Sequence, residues 1–115
     1  MPRICIVTGE VSGDVHGANL AKAIRTLRPD ADVIGVGGSR MRAAGVTVLP
    51  GFERTDVIGV ALGWAQLRTA VRNFLALARF LRRTPLDAVV FIDNPGMNLR
   101  LARIAKWAGQ KVFYY

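Results

Sequence analysis

Five short apolar runs rich in β-branched residues recur along the chain, and the first four are followed by polar residues and then by a pattern of helical period. The runs are "RICIVT" (3–8), "DVIGVG" (32–37), "VTVLP" (46–50), "DAVVFID" (87–93) and "KVFYY" (111–115). Most lack the apolar/polar alternation of a strand with one wet face, so they predict strands buried on both sides. The intervening spacing predicts helices over 15–28, 39–44, 64–83 and 97–108. Asp14 is placed to cap the first helix, Pro29-Asp30 to end it, and Gly45 and Gly109 each to follow a helix end. Strands of this kind alternating with helices predict an α/β fold, a Rossmann-like doubly wound parallel sheet covered on both faces.

In such sheets ligands bind beyond the carboxyl ends of the strands, near the point where strand order reverses. Polar clusters follow three of the predicted strands. "GEVSGDVHG" (9–17) follows the first. Gly9 and Gly13 permit a sharp turn with exposed amides, while Glu10, Ser12, Asp14 and His16 bring acid, base and hydrogen-bonding groups to the same mouth. The spacing is neither G-x-G-x-x-G nor a Walker loop. His16 is the one histidine, and its ordinary pKa near neutrality suits proton transfer. A capped turn with His16 on a helix surface is the equally weighted alternative. "GGSR" follows the second strand, and Gly37, Gly38 and Arg40 fit a phosphate or a tight turn with a solvated arginine. "DNPGMN" follows the fourth, where Asp93 and Asn98 fit sugar hydroxyls or helix capping.

Charge and cysteine content narrow the setting. The net charge is +8, mostly from arginine, which favours an anionic partner. The single cysteine, Cys5, lies in a predicted central strand and reads as a small hydrophobe. No cluster of histidine and cysteine with metal-ligand spacing occurs, so no metal is expected. The opening residues lack a secretory pattern and no run is long enough to span a bilayer, which predicts a cytoplasmic protein. The stretch 63–83 combines an apolar stripe with Arg68, Arg72, Arg79 and Arg83 and contains no acid. An apolar stripe more often means a core-facing helix, but the apolar "VIGVALGW" before it raises the alternative of a helix lying on an anionic membrane. The abrupt end on "KVFYY" reads as the front part of a longer protein.

Taken together, "GEVSGDVHGA", "GVGGSRMRAAGV", "VIGV" and "IDNPGMNLRLAR" resemble, in order and spacing, the N-terminal part of the lipid-A-disaccharide synthase family. The resemblance covers essentially the whole chain. It implies the N-terminal, acceptor-side half of a two-domain GT-B glycosyltransferase, residues 1–115, with the UDP-sugar domain elsewhere. It implies transfer of 2,3-diacylglucosamine from UDP-2,3-diacylglucosamine to 2,3-diacylglucosamine 1-phosphate, giving lipid A disaccharide and UDP without metal or cofactor. Asp93 and His16 are the first candidates for the catalytic base, with Asp14 and Glu10 behind them. Glu10, Ser12, Gly13, Asp14, Gly37, Gly38, Arg40 and Asn98 are candidates for substrate binding. A diacylated acceptor implies work at the inner face of the cytoplasmic membrane. Ile58, Val60, Leu62 and Trp64 would then meet lipid, and Arg68, Arg72 and Arg79 its anionic headgroups. Two positions depart from the family pattern: Leu62 stands near a common acid, and Gly96 where many members have Asp. They keep a second reading open, a divergent or non-catalytic sugar- or nucleotide-binding module. No nucleic-acid-reading motif accompanies the charge, and no nucleic-acid partner is expected.

Overall fold

A computed structural model describes residues 2–8, 11–49, 64–92 and 95–114. The order is β1 (Arg3–Thr8), α1 (Val11–Leu27), β2 (Asp32–Val36), α2 (Ser39–Ala43), β3 (Thr47–Val48), α3 (Trp64–Arg83), β4 (Ala88–Ile92), α4 (Pro95–Trp107) and β5 (Val112–Tyr114). The strands form one sheet in the order β3-β2-β1-β4-β5, parallel at every pairing. This is the expected Rossmann-like α/β arrangement.

Alternation along each strand divides the core in two. Cys5 and Val7 of β1, Val36 of β2, and Val89 and Phe91 of β4 face α3 and α4, meeting Leu77, Ala78, Leu81, Leu101 and Ala105. Ile6, Val33 and Ile92 face the other way, toward Ala18 and Ala21 of α1 and Met41 of α2. The strands had to be apolar throughout because both faces are covered. Cys5 is fully buried, and loss of water around its thiol pushes the pKa up to about 12. It stays protonated and inert, as a core residue should.

Helix limits differ from the sequence reading by more than one residue at two places. α1 starts at Val11, four residues before the expected start at 15. Ser12, Gly13 and Asp14 therefore belong to its first turn and not to a loop. α4 starts at Pro95, where proline's fixed φ and missing N–H suit a first helical residue. Gly45 and Gly109 do carry the positive φ expected after a helix, 94° and 88°.

The turn from α3 to β4 depends on a residue from the far end of the chain. Gln110 Nε2 donates to the carbonyls of Leu81 (2.9 Å) and Thr84 (2.7 Å), and its Oε1 accepts from the Leu86 amide at 3.3 Å. These bonds satisfy carbonyls that the end of α3 leaves open. Gln110→Ala is expected to destabilise the domain by about 2 kcal/mol, read from urea denaturation. An unchanged midpoint would mean that water replaces the amide without loss.

Candidate active site

The strand order reverses between β1 and β4, which lie side by side at the centre of the sheet. Thr8 and Ile92, their last residues, are register partners. The segments that carry the polar clusters therefore leave the sheet from adjacent points at its carboxyl edge. α1 and α4 follow at once, and both direct their N-termini toward this mouth, where helix dipoles favour anionic groups.

Close packing fixes how α1 enters. A side chain at Gly13 would place its Cβ 3.0 Å from Thr8 Cβ and 3.6 Å from Ile92 Cγ2. The first turn thus presses onto the ends of both central strands. Thr8 itself is tied sideways, its hydroxyl donating to the Val36 carbonyl at 2.9 Å. Asn98 sits one turn into α4, fully buried, with Nδ2 donating to the Ile92 carbonyl at 3.1 Å. It fastens α4 to the end of β4.

Asp14 has a role that the sequence reading misses. It does not cap α1, in which it lies. Its side chain crosses to α2, where Oδ1 accepts from the amides of Gly38 (2.8 Å) and Met41 (3.1 Å) and Oδ2 from that of Arg40 (3.0 Å). Only 8% of the residue is exposed. Of the two readings of "GGSR", these bonds accord with the tight turn: the anion on the amides of Gly38, Arg40 and Met41 is the chain's own carboxylate. Gly37 and Gly38 are glycine for the same reason. A Cβ on Gly38 would come within 2.8 Å of Asp14 Oδ2, and one on Gly37 would run into the sulfur of Met41.

The other end of α2 is held from the same helix, Arg25 Nη2 donating to the Gly45 carbonyl at 2.8 Å. Asp14 and Arg25 stand three turns apart on α1. They meet the positive and negative ends of α2 with the charge that each end favours. That spacing, opposite a five-residue helix lacking a side-chain cap of its own, is the sequence signal that could have disclosed the clasp.

The remaining candidates divide by position. His16 lies on the exposed side of α1, and the Arg40 side chain is exposed beside the clasp. Asp93, Glu10, Ile58, Val60 and Leu62 lie outside the described residues, as do the side chains of Ser12 and Trp64. Arg68, Arg72 and Arg79 are all exposed on α3. Among the described residues no group of three or more His, Cys, Asp or Glu could hold a metal ion. No helix among them is long and apolar enough to cross a membrane.

Comparison with known proteins decides the family. The family model described as lipid-A-disaccharide synthetase matches residues 4–115. The chain belongs to the lipid-A-disaccharide synthase family. A synthase of this name from Coxiella burnetii is 43% identical over 112 residues, covering 97% of this chain and 30% of that protein. The one from Trichlorobacter lovleyi is 41% identical, covering 98% and 30%. The one from Myxococcus xanthus is 37% identical, covering 99% and 30%. This family member therefore spans about 30% of the length of the curated synthases it matches. Among solved structures, the C-terminal domain of a Pyrococcus furiosus hydrogenase superposes with a TM-score of 0.65. That match is 18% identical and covers 99% of this chain and 91% of the other. At that identity it speaks for the fold of this chain alone.

Proposed function

We propose that residues 1–115 form the acceptor-side Rossmann-like domain of a lipid-A-disaccharide synthase. The family match along residues 4–115 carries this reading. The reaction is a single displacement. The 6-hydroxyl of 2,3-diacylglucosamine 1-phosphate attacks the anomeric carbon of UDP-2,3-diacylglucosamine. The bond to UDP breaks, UDP leaves with the electron pair, and a base takes the hydroxyl proton. Asp93 and His16 are the bases first in line, because the segments bearing them leave β4 and β1 from paired positions. The N-terminal turns of α1 and α4, with Glu10, Ser12 and the Arg40 side chain, line the acceptor side. The UDP-sugar is held by parts of the synthase outside this segment.

The acceptor's acyl chains set where the reaction takes place. The synthase works at the inner face of the cytoplasmic membrane, with the segment 57–83 toward the lipid. What supports this is the outer side of α3, where Val71 and Leu75 remain 50% and 60% exposed among the arginines. The inward stripe is instead Phe74, Leu77, Ala78 and Leu81.

The test is an exchange of segments. Residues 4–115 replace the matched segment of the Coxiella burnetii synthase, and disaccharide and UDP are measured with both sugars supplied. The exchanged protein is expected to turn over, and residues 1–115 alone to form no disaccharide, since attack geometry requires both sugars to be held. A folded exchange protein that binds the acceptor without turnover would favour the non-catalytic module. Disaccharide from residues 1–115 alone would overturn the division of labour between domains.

A further inference from the structure

The net charge of this protein is segregated onto one layer of the fold. Helices α3 and α4 hold eight of the sixteen lysines and arginines and none of the eight aspartates and glutamates. The rest of the chain carries eight of each sign, so the whole excess of +8 belongs to these two helices. They contact each other and cover the same face of the sheet, so their outer sides point the same way. All eight cations are exposed, and none pairs with a described carboxylate.

Helical spacing puts the α4 cations on the side away from the sheet. Leu101 and Ala105 point inward, while Arg100, Arg103 and Lys106 lie opposite with Leu99 and Trp107. Trp107 is 97% exposed and Leu99 52%. This indole, on the side of α4 that carries three cations, takes no part in the packing of the described residues. Tryptophan and basic side chains together are what a helix presents to the headgroup region of a bilayer. A nucleic-acid backbone would use the cations but would gain nothing from Leu75 and Leu99 standing between them.

We infer that α4 is a second lipid-contacting helix, with Trp107 entering the headgroup region of an anionic bilayer and Arg100 and Arg103 meeting its charges. The inference rests on the membrane reading of α3 and extends it from one helix to a two-helix face. A face of this kind lies flat along α3, about 30 Å long. It fixes how far the carboxyl edge of the sheet stands from the lipid, where a helix touching only at one end would pivot.

The chain has two tryptophans, so Trp64→Phe leaves Trp107 as the sole reporter. With phosphatidylglycerol/phosphatidylcholine vesicles, its emission is expected to shift to the blue and to be quenched by brominated lipid. Pure phosphatidylcholine should do neither. In the unmodified background, Arg100→Gln with Arg103→Gln is expected to weaken co-sedimentation on the order of twentyfold at low salt, at roughly fivefold per cation. The difference should close at high salt. Both positions are exposed, and circular dichroism verifies the fold. Suppose the chain sediments with vesicles while Trp107 emission and the α4 double variant stay unchanged. The α4 inference is then overturned and α3 alone is the lipid helix, a result Arg68→Glu with Arg72→Glu would verify. If the unmodified chain does not sediment, the α3 reading falls as well. If duplex DNA displaces the vesicles at equal concentration of charge, the lipid assignment is overturned.

Discussion

Asp14→Ala is expected to destabilise the domain by about 3 kcal/mol, lowering the thermal midpoint by roughly 10 °C. The carboxylate accepts three amides at 2.8, 3.0 and 3.1 Å, and alanine leaves all three without an acceptor in a site that admits little water. Asp14→Asn should fall between. Its oxygen can keep the Gly38 and Met41 amides, but its NH2 then faces the amide of Arg40, donor against donor. Added formate should recover part of the loss in the alanine variant and little in the unmodified chain, because the space it enters is that of the missing carboxylate. Scanning calorimetry reads all three. An alanine variant that melts with the unmodified chain would show that α2 stays in place without the clasp, leaving Arg25 and Met41 as its holders.

The second large effect is on turnover. In the exchanged synthase, the variant that removes the proton-accepting group, Asp93→Ala or His16→Ala, is expected to lower kcat about 10²-fold or more. The other should act mainly on KM for the acceptor, since the segments bearing both follow register-paired strand ends but only one group takes the proton. The pH profile separates them. Loss of the base removes the acidic limb of the kcat profile, and loss of a binding group leaves that limb in place. Turnover unchanged in both variants would return His16 to the helix surface and Asp93 to the end of its strand, with no part in chemistry.

Much of the fold was legible in the residues. Both-face apolar strands require cover on both sides, and the alternation with helical spacing gave the parallel sheet and, among the described residues, its five strands and four helices. The α3 limits, Trp64–Arg83, are those that the sequence pattern gives. The start of α1 was less legible. Gly13 in a first turn reads as a loop residue, yet a helix can begin there because its missing side chain lets the turn press against Thr8 and Ile92. The chain alone does not reveal which strand ends will lie beneath it. On α3, likewise, the apolar residues at helical spacing formed a single stripe on paper. Packing divided it, taking Phe74, Ala78 and Leu81 inward and leaving Val71 and Leu75 outside.

The candidate site shows the same division. Local pattern was enough to place polar clusters at the carboxyl ends of strands, because strand direction and helix connection follow from neighbours in sequence. Motif order was enough to point to the family. Which group meets which is a long-range matter. Asp14 lies 24 to 27 residues from the amides it holds, and only the parallel packing of α1 beside α2 brings them together. The sequence likewise determined the total of +8 and its excess on two helices. Only the sheet, by carrying α3 and α4 on one side, turned that excess into a face.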